Sequence, residues 1–306
     1  MTTPNFTIAI MARNEERNIA PAIESLKKDK AIQKCEILVI DGQSTDRTVE
    51  IAKKLGTRVV IQKNLGMPNA RNLGWKHAKG KVVIFIEGDH RAGPSFLSRI
   101  IKHVQNSRAD AWRPNVTPTA KNLIQKALTV QIELNTLRQK GKTTPVIYRK
   151  RVLQKIGGWD ETMGLDDRDL PVRVRKAGYK IEDIPDAVLY TIPVSSFRQL
   201  YNQGRWYGRI FPAYSFKTRD FLPMAAMLVY AAFVPLVVLS FFSNFFLILL
   251  AIDFLILLAY SLQGFIVTRK PIALLMVPVN IVRGFGELVG MISIPFKKGL
   301  GRVNRT

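Results

Sequence analysis

The chain has 306 residues, with 46 lysines and arginines against 23 acidic residues, a formal net charge of +23 and a single cysteine. The lone Cys35 excludes an internal disulfide framework, and no Cys/His grouping has zinc-ligand spacing, which favours a reducing, cytoplasmic setting. So large a positive charge asks for an anionic partner, and because no nucleic-acid motif accompanies it, the anionic lipids of a membrane surface are favoured and nucleic acid is not expected.

Composition changes sharply at Phe221. Almost every charged residue precedes it, and the remainder is dominated by Leu, Ile, Val, Phe and Ala. The first part can bury a globular core, and the last is too apolar to stay in water. The N-terminus runs directly into the apolar run Phe6–Met11 without a basic segment and apolar h-region, so no cleaved signal peptide is expected. That run predicts a strand, and Ile19, Ala22, Ile23 and Leu26 then recur at helical spacing. Glu36–Ile40 predicts a second strand, followed by a helix through Val49, Ile51, Ala52 and Leu55 that Gly56 can close. Arg58–Ile61 and Lys81–Ile86 supply two further strands. This alternation predicts an α/β domain with a mainly parallel sheet flanked by helices and ligands at the strand ends.

Those ends are acidic. Asp41-Gly42-Gln43-Ser44-Thr45-Asp46 follows the second strand, where Asp41 can accept from a base or ribose and Asp46 is read as a helix cap. Glu87-Gly88-Asp89 follows the fourth, and Asp89 can ligate Mg²⁺ or Mn²⁺ on a diphosphate; the alternative is a plain turn. Further on, Asp166-Asp167-Arg168-Asp169 precedes Pro171, read as the first turn of a helix that Arg175, Lys176 and Gly178 would end. Asp169 is then expected as its N-cap, with Asp166 and Asp167 at the cleft edge.

Six stretches in order carry a resemblance: Ala12-Arg13-Asn14-Glu15-Glu16-Arg17-Asn18-Ile19, Val39 to Asp46, Asn64 to Gly74, Phe85-Ile86-Glu87-Gly88-Asp89, Ile156-Gly157-Gly158-Trp159-Asp160-Glu161 and Asp166 to Leu170. Together they make about residues 6–210 resemble the family 2 glycosyltransferases with the GT-A fold, in particular polyprenyl- or dolichyl-phosphate sugar transferases and related lipid-linked glycan transferases. The resemblance implies a hexosyltransferase using a nucleotide-sugar donor and a divalent cation. It implies that Ala12, Asn14, Glu15, Asp41, Arg71, Gly88 and Asp89 line the donor site, that Glu87 and Asp89 bind the metal, and that Asp167, with Asp166 beside it, is the catalytic base. It further implies Arg205 and Trp206 on the acceptor or diphosphate side. Two positions depart from the pattern. Arg91 stands where some relatives have another metal-contacting residue, and Asn202-Gln203-Gly204-Arg205-Trp206 is one position short of the Gln-x-x-Arg-Trp motif of processive synthases, which argues against a long-chain polysaccharide synthase.

The expected organisation is a catalytic domain over 1–194, an amphipathic interfacial segment over 195–220, a membrane region over 221–296 and a basic cytoplasmic tail over 297–306. In the interfacial segment Phe197, Leu200, Tyr201 and Phe211 form the apolar face. Residues 221–242 and 245–267 are each long enough to span a hydrocarbon core of roughly 30 Å, with Asp253 facing protein or protonated. Residues 271–296 hold Arg283 and Glu287 at i, i+4 and are flanked by Arg269-Lys270 and Lys297-Lys298. The positive-inside rule then favours a re-entrant or interfacial helix over a third crossing, with the catalytic domain cytoplasmic. The rival to an enzyme acting on a lipid or lipid-linked acceptor is a non-catalytic membrane-anchored nucleotide or polyanion binder.

Overall fold

The computed structural model describes residues 5–138, 146–162, 166–219 and 221–293. The chain forms two compact units, one of residues 1–117, 142–162 and 166–191, the other of residues 118–141, 163–165 and 192–306.

The first unit opens with β1 (Phe6–Ala12), α1 (Ile19–Lys27), β2 (Cys35–Asp41), α2 (Thr48–Lys54), β3 (Arg58–Ile61), α3 (Met67–His77) and β4 (Val82–Glu87). It continues with β5 (Arg91–Ala92), α4 (Phe96–Asn106) and β6 (Ala111–Pro118), leaves for α5 (Leu123–Arg138) of the second unit, and returns through β7 (Ile147–Arg149), α6 (Lys150–Ile156), α7 (Asp166–Lys176) and β8 (Ile181–Thr191). The eight strands form one sheet in the order β3-β2-β1-β4-β7-β6-β8-β5. β1 to β4 are parallel, as their apolar runs predict, whereas β7 is antiparallel to β4 and to β6, and β5 to β8. The second half of the sheet is therefore mixed.

β1 is buried on both faces, so alternate residues serve different cores. Ile8 and Ile10 join Ile19, Ile23 and Leu26 of α1 and Phe96 and Ile100 of α4. Ala9 and Met11 join Ala70 and Trp75 of α3, Tyr148 and Trp159. The parallel register sets Ala12 opposite Asp41 and Met11 opposite Glu87, so the chemical residues of three strands end at one level.

A buried amide ties α3 to the loop before α7. Asn72 Nδ2 donates to Trp159 O at 2.8 Å and to Glu161 Oε1 at 2.9 Å, while its Oδ1 accepts from Trp159 N at 2.9 Å and Trp75 Nε1 at 3.0 Å. All four of its hydrogen-bonding positions, two donors and two lone pairs, are used. α7 begins at Asp166, earlier than expected, so Pro171 lies inside the helix and not in its first turn. Asp169 is correspondingly not an N-cap: its carboxylate accepts from Arg173 Nε at 2.7 Å, and that guanidinium also donates to Gly158 O at 2.7 Å. Gly178 ends the helix at φ +80, as expected.

The second unit is helical: α5, α8 (Phe197–Thr218), α9 (Leu222–Ser240), α10 (Asn244–Thr268) and α11 (Met276–Ile292), the last preceded by a 3₁₀ turn over Pro271–Leu275. α8 and α11 touch backbone to backbone through four glycines. A Cβ on Gly204 would lie 2.2 Å from Arg283 O, on Gly208 1.9 Å from Glu287 O, on Gly286 2.2 Å from Tyr201 O and on Gly290 2.2 Å from Arg205 O. These are two small-xxx-small pairs, one per helix. Leu200, expected on an interfacial face, is buried with Ala127, Leu128 and Val279. Arg283 and Glu287 interact electrostatically as their i, i+4 spacing predicts, and the Arg283 guanidinium also donates to Gln131 at 2.8 Å and Gln203 at 3.4 Å, while Gln131 donates to Asn280 at 3.0 Å. The longer side chains of α5 and α8 reach Arg283 across the helices.

The glycines around the Asn72 clamp give a test. Gly157 and Gly178 have positive φ but nothing within 4 Å of an added Cβ, whereas on Gly158, at φ +71, it would sit 2.3 Å from Asn72 Oδ1. Alanine at Gly157 or Gly178 is expected to cost about 1–2 kcal/mol in backbone strain, and at Gly158 a further ~1–3 kcal/mol from overpacking. Urea unfolding followed by tryptophan fluorescence measures the difference, and equal costs at Gly157 and Gly158 would mean the clamp yields freely.

Candidate active site

The loops after β1 and β2 are laced together by short polar side chains. Asn14, at φ 54, donates its backbone N–H to Ser44 Oγ at 2.9 Å, and its side chain accepts from Thr45 N at 2.9 Å. Glu15 N donates to Thr48 Oγ1 at 2.7 Å and Glu16 N to Asp46 Oδ2 at 3.0 Å. Asp46 also accepts from Thr48 N at 3.0 Å, but the N-cap of α2 is Arg47, so Asp46 stands one residue ahead of the cap read from the sequence. Asp41 is buried and accepts from Ser44 N at 3.0 Å and Ser44 Oγ at 2.5 Å. A carboxylate offers about four acceptor positions, and these bonds use two of them.

The β1 and β4 ends bring carboxylates together. Glu87 and Asp89 are about one third exposed, and Glu15 lies against them: a Cβ on Gly88 would be 3.0 Å from Glu15 Cγ. Burial first, then the Asp89 and Glu87 charges, push the Glu15 carboxyl up to about 7, although Asn18 donates to it. Residues 87–90 do form a turn, His90 N donating to Glu87 O at 3.0 Å. His90 Nε2 stands 4.0 Å from Asp89 Oδ1.

Two arginines border this acidic patch. Arg71 Nη2 is 3.7 Å from Glu87 Oε1, with its guanidinium 5.8 Å from the Trp159 ring centroid. Arg91 donates to Asn18 Oδ1 at 3.1 Å and His90 O at 2.9 Å, and burial lowers its pKa from the usual guanidinium value. It is held beside the carboxylates, as its place in the sequence requires. Among the described residues no group of three or more His, Cys, Asp or Glu could by itself hold a metal ion. The residues still fit a Mg²⁺ or Mn²⁺ completed by donor phosphates and water, because Glu87 and Asp89 are oxygen donors of the kind these ions take and their charges, which add to burial in raising Glu15, are what such a cation would offset.

Ala12, Asn14, Glu15, Asp41, Arg71, Glu87, Gly88 and Asp89 thus all lie at or beside the strand ends of the first unit. Asp166 and Asp167 open α7, but their side chains lie outside the described residues. Arg205 and Trp206 belong to α8 in the second unit, where Arg205 stacks 6.0 Å from the Tyr201 ring and Trp206 packs on Tyr207. Sequence reasoning assigned no individual role to Asn18, Asn72, His90 and Glu161. Asn72, three residues before Trp75 on the buried face of α3, carried a usable signal: a polar residue at an apolar helical position.

The family model for glycosyl transferase family 2 matches residues 7–153, and that for glycosyl transferase family group 2 matches residues 82–263. Glycosyltransferase AglE of Haloferax volcanii is 24% identical over 202 residues, covering 61% of this chain and 66% of AglE. The poly-beta-1,6-N-acetyl-D-glucosamine synthase of Staphylococcus aureus is 24% identical over 224 residues, 66% of this chain and 53% of that one. The chain therefore spans about half to two thirds of the length of these curated relatives. Among solved structures, the mannosyltransferase PcManGT from Pyrobaculum calidifontis, in complex with GDP-Man and Mn²⁺, superposes with a TM-score of 0.59 at 16% identity over 94% of this chain and 88% of that one. The shared architecture is the GT-A fold, and the match over most of the sheet and the helices beyond it makes the chain a member of glycosyl transferase family group 2.

Proposed function

We propose that the protein is an inverting glycosyltransferase that moves a sugar from a nucleotide-sugar donor to a membrane-associated acceptor, whether a polyprenyl or dolichyl phosphate, a lipid-linked oligosaccharide or a glycolipid. The observation that carries this is the convergence of Glu15, Glu87 and Asp89 with Arg71 and Arg91 at strand ends one register step from buried Asp41.

Cleaving a sugar–diphosphate bond builds negative charge on the departing phosphate, and preorganised cations stabilise it. Arg71 and Arg91 supply fixed positive charge, and Asp41 with the Asn14–Ser44 loop holds the nucleoside. Glu87 and Asp89 would hold a divalent cation, which when bound adds Lewis-acid stabilisation of the leaving group. The similarity to a mannosyltransferase solved with GDP-Man and Mn²⁺ supports both ligands. Asp167 is the proposed base, taking the acceptor proton opposite the leaving group, with Asp166 the alternative; Arg205 and Trp206 serve the acceptor or diphosphate side.

The membrane assignment rests on α9 and α10. α10 has 25 residues and a mean hydropathy of 2.6, and α9 has 19 residues, about 28 Å of helix. Between Phe221 and Thr268 only Asp253 is charged, whereas Lys217 and Arg219 precede the hairpin and Arg269 and Lys270 follow it. The positive-inside rule then keeps both ends, and the catalytic domain, cytoplasmic. A polysaccharide synthase is the second reading, supported by the similarity to the staphylococcal enzyme. Product size separates the two, a single added sugar against a ladder.

Asp89→Asn is expected to reduce transfer by at least ~10²-fold without unfolding the protein, measured as nucleotide release from UDP- and GDP-sugars in native lipid; near-normal turnover at saturating Mn²⁺ or Mg²⁺ would count against the metal role. Asp167→Asn should lower turnover roughly 10²–10⁴-fold with donor affinity retained if the acceptor is a sugar hydroxyl, and far less if it is an already ionised lipid phosphate. Sensitivity at Asp166 alone would move the base to that residue.

Glu15 gives a pH signature. Its folded pKa of about 7 exceeds the ordinary 4.5, so the stability it contributes is complete below pH 4.5 and is lost as pH rises through about 7. Without divalent cation the melting temperature should fall between pH 5 and 8, roughly across that window. Mn²⁺ should restore it, and Glu15→Gln should flatten the profile. An unchanged profile in the variant would assign the effect to another group.

A further inference from the structure

At the other end of the same sheet the first unit carries a second set of polar residues. β4 and β6 are both antiparallel to β7 and therefore run the same way, so the start of β6 and the end of β4, with its carboxylates, lie at opposite ends. An open groove of about 830 Å³ lies by the start of β6, lined by Arg99, Lys102, His103, Arg108, Lys180 and Glu182 among others. α4 buries Phe96, Leu97, Ile100, Ile101 and Val104 and so turns Arg99, Lys102 and Asn106 outward on one stripe. The turn after it is fixed from inside: Arg149 donates to Ala109 O at 2.9 Å and Ser107 O at 3.0 Å.

The acidic residues of the groove are already committed. Glu182 accepts from Lys180 Nζ at 2.8 Å and Ser107 Oγ at 2.6 Å and stands 3.3 Å from His103 Nε2; the Lys180 and Ser107 hydrogen bonds hold its pKa down to about 2, so it stays ionised. Asp186 faces Arg99 at 3.9 Å. The side chains of Lys102, Asn106 and Arg108, by contrast, have no hydrogen bond or ion pair among the described residues. With Glu182 and Asp186 taken up by Lys180 and Arg99, Lys102 and Arg108 are the groove's excess cations, and the Asn106 amide lies beside them.

We propose that this groove is a second anion site, where Lys102, Arg108 and the Asn106 amide hold a phosphate group independently of the donor residues. A guanidinium offers a fork of donors to two phosphate oxygens, an ammonium a point charge, and an amide one more N–H, which together match the tetrahedral acceptor set of a phosphate. The volume exceeds that of a bare phosphate, so the group is one end of a larger molecule. A phospholipid headgroup and a free phosphate compound share this chemistry.

The test uses the full chain in nanodiscs and hydrogen exchange of segment 99–108. Exchange is expected to slow about fivefold on ligand binding. Slowing by inorganic phosphate in pure phosphatidylcholine discs identifies a free phosphate ligand; slowing only in discs containing phosphatidylglycerol identifies a lipid headgroup. Lys102→Gln/Arg108→Gln should abolish the effect with donor turnover and melting temperature unchanged. Lys53→Gln/Lys54→Gln, an equal change of charge on exposed α2, should retain it. The proposal is overturned by absence of slowing with either probe, by slowing that survives in the groove variant, or by equal loss in the α2 variant, which would reduce the effect to the overall field of the protein. A parallel fall of donor turnover in the groove variant would also overturn it, since the two sites would then not be independent.

Discussion

Every residue of β1 is buried and both of its edges are hydrogen-bonded, to β2 and to β4. A strand so placed cannot slip by one residue, because each step would exchange Ile8 and Ile10 for Ala9 and Met11 between two cores of different shape. Its register therefore fixes the levels at which β2 and β4 end. Asp41 and Glu87 owe their positions to that pairing, and the turn from Glu87 to His90 then sets Asp89 close to Glu15. The chemistry of the strand ends is a consequence of apolar packing several residues away.

The same rigidity makes the carboxylate cluster expensive. Glu15, Glu87 and Asp89 are gathered by backbone that cannot relax, and the raised Glu15 pKa reflects burial added to mutual repulsion. Arg71 and Arg91 temper the repulsion without removing it, since each is also held by other partners: Trp159 for Arg71, and Asn18 with the His90 carbonyl for Arg91. A cation and a diphosphate bound there, as proposed above, would relieve that repulsion.

Sequence patterning revealed the first four strands because each is an apolar run bounded by polar residues, and their acidic ends could be read as a site for the same reason. The antiparallel half was hidden. β7 has three residues and β5 has two, too few for periodicity to register, and β8 carries Glu182, Asp183 and Asp186, which interrupt any apolar run. α7 was misjudged at its start because Pro171 suggested a first turn, whereas the helix accommodates that proline internally and spends Asp169 on Arg173. For the Asn72 clamp, the polar residue at an apolar position of α3 marks the donor, but Trp159 and Glu161 lie 87 to 89 residues away and nothing local identifies them as its partners.

In the helical unit, hydropathy and packing give different information. α10 and the stretch Pro271–Ile292 both pass as membrane-length apolar helices, yet 17% of the first window is buried and 44% of the second. Apolar side chains gain little by leaving lipid for protein, so helices associate there where small residues let backbones meet and polar groups find partners. α11 has both features, Gly286 and Gly290 against α8 and the Asn280–Gln131–Arg283 chain of hydrogen bonds toward α5 and α8. α10 instead exposes Phe245, Ile248, Leu255 and Ile266, the surface a lipid-facing helix requires. The glycine spacing thus distinguishes the helix that organises the unit from the helix that leaves its apolar surface exposed.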